Sequence, residues 1–343
     1  MPNPPVILID LSNLVFRMAF AHQGLAYEGK PTGAVYGVLK TIYDLRINVS
    51  PRIVACWDHG VPVPGAAKPK NWREGVLKTY KANRRHDDET YQSILRQFHD
   101  VFTALNLVGY SSVSVIGLEA DDIIGILANE IQDDVLIFST DKDFFQLLND
   151  RTQILVPQKE QGGFRRISKD EVEKQYGIPI DRFAEYLALG GDSADNIKPK
   201  RGMGPKTALK LIQEGADLRG NKSFAQQSLA FELKHADLEP FWPAILKSYY
   251  AAQIPVFWND LRIQECVAAG IPKYSTFQSC VVHSAGSRSK EHFAQFLADR
   301  GMTSLLALRH KFFETSNERA KTSCVTQHLL PPPLHRPTKR TLI

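Results

Sequence analysis

The feature that most constrains this 343-residue chain is a repeated pattern: a short apolar run rich in β-branched residues, an acid close behind it, then a segment of helix length. The runs occupy residues 6–9, 53–57, 113–116 and 135–138. That alternation predicts a parallel α/β sheet flanked by helices. Asp10 follows the first run, Asp58 the second, and Asp141 with Asp143 the fourth. The third leads, after Gly117 and Leu118, to Glu119, Asp121 and Asp122 at the start of an evident helix, 122–131. Ligands of open α/β sheets bind outside the carboxyl ends of the strands, so these acids are expected to converge there. A lone Asp at a strand end reads as a helix cap, but four such sites on one sheet edge outweigh that explanation.

Further on, residues 168–190 read as helical, and the string Gly190-Gly191-Asp192-Ser193-Ala194-Asp195-Asn196-Ile197 reads as a loop carrying two more acids. After it, Gly202-Met203-Gly204-Pro205-Lys206-Thr207-Ala208 opens another helix, whose glycines would let backbone amides approach a phosphate. Beyond about residue 220 the pattern is mixed and mostly helical, with an amphipathic segment near 290–310 and no assignable chemistry. Residues 316–343, with Pro331, Pro332, Pro333, Lys339 and Arg340, read as a flexible tail.

Composition excludes several classes. No apolar run approaches the roughly 20 residues of a membrane span. The start, with its apolar run ending at Asp10, has no secretory pattern, so a cytoplasmic location without membrane association is expected. Cys56, Cys266, Cys280 and Cys324 lack the spacing of a zinc site or a disulfide framework.

The net charge of +5 is modest, but its distribution is uneven. Residues 68–85 carry Lys68, Lys70, Arg73, Lys78, Lys81, Arg84 and Arg85 against the single acid Glu74. Residues 196–210 carry Lys198, Lys200, Arg201, Lys206 and Lys210 with no acid. Either block alone could be a solvated face; together they flank an acidic centre with phosphate-binding charge.

The acids are Asp10, Asp58, Glu119, Asp121, Asp122, Asp141, Asp143, Asp192 and Asp195. Gathered in one cleft they would repel strongly, since a unit pair about 4 Å apart costs on the order of 4 kcal/mol at an effective dielectric near 20. Multivalent cations would offset that repulsion. All-oxygen ligation points to Mg²⁺, with Mn²⁺ able to substitute. Two such ions roughly 4 Å apart would activate a water and stabilise the leaving oxygen of a phosphodiester.

Six segments, in order, resemble the 5′ nucleases, the group containing flap endonucleases, bacteriophage 5′→3′ exonucleases and the 5′-nuclease domain of bacterial DNA polymerase I. They are Asp10-Leu11-Ser12-Asn13, Tyr80-Lys81-Ala82-Asn83-Arg84, Glu119-Ala120-Asp121-Asp122, Ser139-Thr140-Asp141-Lys142-Asp143, Gly191-Asp192-Ser193-Ala194-Asp195-Asn196 and the glycine segment at 202–208. The resemblance implies a PIN-like (resolvase-like) domain over 1–185, with a helical arch at about 68–96 through which a single-stranded 5′ end passes. A helix-hairpin-helix (H3TH-like) DNA-binding domain with C-terminal helices would follow over 186–315.

All nine acids carry over as metal ligands, Asp10, Asp58, Glu119, Asp121 and Asp122 in one shell and Asp141, Asp143, Asp192 and Asp195 in the other. Lys81 and Arg84 match the basic pair on the scissile phosphate, Arg73 matches a substrate-contacting arginine, and Tyr80 is placed to stack on a base. Gly33 and Tyr36 lie in a segment similar to the one where the duplex bends. Lys200, Arg201, Gly202, Gly204 and Lys206 would grip duplex backbone around a loop-bound K⁺. Residues 59–71 are longer and richer in Pro and Gly than the family pattern, and Lys198-Pro199-Lys200-Arg201 replaces an apolar turn.

The implied activity is Mg²⁺-dependent 5′→3′ exonuclease and flap endonuclease cleavage near single-strand/duplex junctions. The chain would act as a monomer on branched or 5′-ended DNA or an RNA/DNA hybrid, alongside replication proteins. Two rivals are a PIN-type ribonuclease, which would not need the Tyr80–Arg84 motif or the glycine hairpin, and a catalytically dead junction binder, which would have lost acids.

Overall fold

A computed structural model describes residues 3–58, 71–83, 89–115, 117–158, 162–199, 202–219, 224–255, 281–284 and 288–313. Arg84, Lys200, Arg201, the Pro/Gly-rich stretch 59–70, parts of the expected arch and the tail at 316–343 lie outside the described residues.

The strands are β1 (Val6–Asp10), β2 (Ala26–Tyr27), β3 (Lys30–Pro31), β4 (Ile53–Trp57), β5 (Ser111–Val115), β6 (Val135–Phe138), β7 (Thr152–Pro157), β8 (Phe164–Ile167) and β9 (Val281–Ser284). The helices leading to the site are α1 (Leu11–Ala21), α2 (Gly33–Asn48), α3 (Trp72–Val76), α4 (Glu89–Val108), α5 (Ala120–Glu130), α6 (Lys169–Tyr176), α7 (Phe183–Gly190) and α8 (Pro205–Gln213). Among the described residues seven strands form one sheet in the order β8-β7-β6-β1-β4-β5-β9, and β2 and β3 pair as a separate hairpin. The four runs expected as strands are β1, β4, β5 and β6, and they pair in parallel with one another and with β7. Both edge strands, β8 and β9, are antiparallel to their neighbours.

The sheet is covered on both faces, which is why its central strands are apolar without alternation. Val6 and Leu8 of β1 join a core with Ile123 of α5, Leu187 of α7 and Leu211 of α8. Ile7 and Ile9 face the opposite core, with Leu14 of α1, Leu39 of α2 and Phe98 of α4. Each such side chain, taken fully out of water, contributes about 1.5–3 kcal/mol. From β1 the chain moves one way through β4 to β5 and the other way to β6 and β7, so the strand order reverses beside β1. The crevice at such a reversal is where open α/β sheets hold ligands.

Residues of 288–313, grouped on sequence with the region after 186, pack into the core that holds Ile7, Ile9 and α4. The helix Lys290–Ala298 is capped by Ser289, whose Oγ accepts from the His292 amide at 3.3 Å. Its residues Phe293, Phe296 and Leu297 share one face at helical spacing and are buried in the same core as Phe98 and Val101 of α4. β9 adds itself to β5 from the same part of the chain. Among the described residues no helix is long and apolar enough to cross a membrane.

Candidate active site

The acids stand at strand ends, in the first turns of α5 and of the 3₁₀ helix Lys142–Leu147, and in the loop after α7. Asp10 closes β1 and caps α1, accepting from the Asn13 amide at 3.1 Å. Across the reversal point, the Ser139 hydroxyl beyond β6 reaches Asp10 Oδ2 at 3.3 Å, tying the ends of two neighbouring strands. Asp58 follows β4; its amide donates to Ser12 Oγ at 3.2 Å and its carboxylate accepts the Ala120 amide of α5 at 2.8 Å. Asp141 accepts the Asp143 amide at 3.0 Å, which opens the 3₁₀ turn Lys142–Leu147 and presents the pair together. Asp192 and Ile197 exchange two backbone hydrogen bonds of 2.8 Å, closing the loop that carries Asp192 and Asp195. Gly191 makes that closure feasible: its φ is +80°, and a Cβ there would stand 2.4 Å from Pro199 Cδ.

The two groups of acids are joined by the turn that follows α3. Lys81 Nζ lies 2.7 Å from Glu119 Oε1 and 3.5 Å from Asp195 Oδ1. The Tyr80 hydroxyl reaches Glu119 Oε2 at 2.6 Å and Asp195 Oδ2 at 3.0 Å. Backbone contacts hold the turn down: Lys81 N donates to Asp195 O at 3.0 Å, and Asn196 Nδ2 donates to Thr79 O at 2.6 Å. Lys142 pairs with Asp192 at 3.1 Å.

The electrostatics are those of crowded carboxylates. Burial, then the charges of Asp58 and Asp141, pushes Asp10 up to about 7. Asp143 is raised well above the usual carboxylate range by burial and by Asp141, Asp192 and Asp195. Asp141 is raised by burial and, more weakly, by Asp195 and Asp192, against the stabilising Asp143 amide. Glu119 goes the other way: against its burial, Lys81 and Arg73 hold it well below the usual range.

A hard cation fits this donor set. The nine side chains offer only carboxylate oxygens, Asp10 and Asp143 are raised by burial and by neighbouring acids, and Asp143 Oδ1 is buried with no hydrogen-bond partner among the described residues. Among the described residues no group of three His, Cys, Asp or Glu side chains is placed to hold a metal ion; the cations of Lys81 and Lys142 stand among the acids instead.

Arg73, Tyr80 and Asp122, all expected at the site, are buried. Arg73 is only 1% exposed; it pairs with Glu119 and Asp121 at 3.3 Å each and with Asp122 Oδ1 at 2.7 Å. Tyr80 is 4% exposed, so its ring is not presented to a base, and its hydroxyl is engaged by acids. Asp122 is wholly buried behind the cluster. Its Oδ2 accepts from Trp72 Nε1 at 3.0 Å, Arg73 Nη1 at 2.9 Å and the Glu119 amide at 3.0 Å.

Gly33 has a packing reason independent of any ligand, because a Cβ there would meet the His22 carbonyl oxygen at 2.1 Å. Tyr36 is partly buried, edge-on to His22 at 5.6 Å. Gly202, at φ +84°, is exposed, Gly204 caps α8, and Lys206 is exposed in that helix's first turn.

Sequence reasoning missed Trp72, Ser12, Ser139, Gln146 and Arg17. Arg17, on α1, is half-buried and feels the charge of Asp10. Ser12 and Ser139 sat inside the quoted motifs, two residues from an acid; the other three carried no local signal.

Residues 5–177 match the family described as 5′-3′ exonuclease, N-terminal resolvase-like domain. The 5′-3′ exonuclease of Buchnera aphidicola subsp. Schizaphis graminum is 33% identical over 261 residues, which cover 73% of this chain and 86% of that protein. The 5′-3′ exonuclease of Bacillus subtilis is 32% identical over 222 residues, 62% of this chain and 71% of that protein. Among solved structures, a bacteriophage T5 flap endonuclease in a pseudo-enzyme-product complex with DNA and metal ions aligns with a TM-score of 0.57. That alignment has 18% identity and covers 78% of this chain and 93% of the phage chain. The fold is the PIN-like, resolvase-like one, and the chain belongs to the 5′-3′ exonuclease family of 5′ nucleases.

Proposed function

We propose that this chain is a divalent-cation-dependent, structure-specific 5′ nuclease that hydrolyses phosphodiesters near single-strand/duplex junctions of branched or 5′-ended DNA. The observation that carries this reading is the meeting of acids from β1, β4, β6, α5 and the Asp192–Asn196 loop at one sheet edge, bridged by Lys81. The family resemblance adds the polarity of cleavage, and the DNA in the T5 complex favours DNA as substrate.

Asp10, Asp58, Glu119 and Asp121 would hold one cation and Asp141, Asp143, Asp192 and Asp195 a second, with Asp122 behind them orienting Glu119 and Arg73. Such cations, when bound, supply Lewis acidity toward the phosphate and water of lowered pKa; Mg²⁺ suits the all-carboxylate donors and Mn²⁺ can replace it. Lys81, released from Glu119 and Asp195, would turn its ammonium to the scissile phosphate, where charge grows in the transition state. Arg84 is proposed to join it. The amides at the start of α8, with Lys206, Lys200 and Arg201, would anchor the duplex backbone, with K⁺ held by the preceding loop. A 5′-terminal RNA segment would be accepted too, since backbone contacts carry little base information.

The test is a cleavage map on an end-labelled 5′-flap DNA with and without Mg²⁺. Cuts confined to the junction and the 5′ end, and dependent on the metal, are expected. An uncut flap alongside degraded single-stranded RNA would replace this reading with a PIN-type ribonuclease.

A further inference from the structure

The last two residues of the helix Trp242–Ala252 and the three that follow form a strap of backbone, residues 251–255. Two side chains from elsewhere in the chain hold successive residues of it. Arg73 Nε donates to Ala251 O at 3.0 Å, and its Nη2 donates to Gln253 O at 3.0 Å. Gln146 Nε2 donates to Ala252 O at 3.0 Å, and its Oε1 accepts from Ile254 N at 2.8 Å. The next residue is pressed against α5, since a Cβ on Gly125 would stand 2.5 Å from Pro255 O.

The same two side chains also reach the acid cluster, one to each half. Arg73 donates to Glu119 Oε2 at 3.3 Å, Asp121 Oδ2 at 3.3 Å and Asp122 Oδ2 at 2.9 Å. With the two strap carbonyls, these three carboxylates engage all five N–H groups of the guanidinium. On the other side, Gln146 donates to the carbonyl of Asp143 at 2.9 Å, fixing the turn that carries Asp141 and Asp143. A buried arginine on a helix end is ordinarily a stability device. Here three of its partners are acids of the cluster, and its carbonyl partners alternate with those that Gln146 ties to the second half.

Building on the metal-centre reading above, we propose that Arg73 and Gln146 are positioning residues. Through the strap 251–255 they hold the two halves of the acid cluster at a common spacing and so set its affinity for divalent cations. Residues after about 220, to which sequence assigns no chemistry, thereby contribute to the active site. Lysine cannot replace Arg73, because an ammonium has three donors and no planar fork to span carbonyls and carboxylates together.

The experiment is Mn²⁺ binding to the full chain, read by the electron paramagnetic resonance of free Mn²⁺. Wild type is compared with Arg73→Lys, Gln146→Ala and Ile42→Val, a core control on α2. Loss of such supporting contacts lowers metal affinity about 10–100-fold, and that loss is expected in Arg73→Lys, with a smaller one in Gln146→Ala and none in Ile42→Val. The Mg²⁺ concentration for half-maximal flap cleavage should rise in step, while KM for DNA at saturating Mg²⁺ stays at its wild-type value.

If Arg73→Lys does not fold, Gln146→Ala carries the test. Folded variants that bind Mn²⁺ as tightly as wild type overturn the positioning role and leave the nuclease reading intact. Wild type that binds no Mn²⁺ overturns the nuclease reading itself, and this inference with it.

Discussion

The ammonium of Lys81 lies 2.7 Å from the carboxylate of Glu119, a side chain 38 residues away in sequence, and the same lysine reaches Asp195 at 3.5 Å. One cation thus spans both halves of the acid cluster from the turn at the foot of the expected arch. Lys81→Ala should therefore slow single-turnover cleavage of a flap about 100-fold or more, while junction affinity measured in Ca²⁺ changes only a few-fold, because the contact with phosphate strengthens in the transition state. Equal losses of rate and affinity would make Lys81 a plain phosphate anchor.

Asp143 is raised by burial and by three neighbouring acids, and one of its oxygens has no hydrogen-bond partner among the described residues. Asp143→Asn should abolish metal-dependent cleavage and yet raise the melting temperature in EDTA, since it removes one charge from a repulsive cluster. A melting temperature that falls in EDTA would show that the carboxylate is satisfied without metal.

The pH dependence of the metal-free protein follows from Asp10. Its ordinary value is 3.8 and its folded value about 7, so the folded state binds its proton more tightly than the unfolded state does. Stability from this group is full below pH 3.8 and is lost as pH rises toward 7. Thermal melts in EDTA should show a falling contribution across that window, and Asp10→Asn should flatten it while keeping the cap of α1, because Asn caps as well as Asp. Parallel curves for the two proteins would refute the assignment.

Phe293 tests the placement of the C-terminal helices. It is wholly buried against Phe312 and Phe313, with ring centroids 5.2 and 5.8 Å away, in the core that contains α4. Phe293→Ala should cost about 3–5 kcal/mol and shift the unfolding of the sheet domain. A separate early transition that leaves the main one in place would show instead that this region folds on its own.

Local pattern was enough to locate the acidic edge of the sheet. β1, β4 and β6 are buried on both faces and so are written as unbroken apolar runs, and the acids beyond them stand at strand ends whatever the rest of the chain does. Edge strands were not legible in this way: β8 reads Phe-Arg-Arg-Ile, half-exposed, and β9 takes its place only by pairing with β5 from about 170 residues further along the chain.

The roles of the basic and aromatic residues depended on the tertiary structure even more. Arg73 looks in sequence like one more member of a basic block, and only folding places its guanidinium against a carbonyl 178 residues away and beside acids that neutralise it. Tyr80 and Asp122 likewise carry no local mark of burial. The amino-acid sequence by itself determined the sheet, the position of its acidic edge and the oxygen-only chemistry that edge can offer. Only the tertiary structure decided which acids face outward and which charges are buried as supports, because desolvation and hydrogen-bond satisfaction depend on neighbours that no local pattern records.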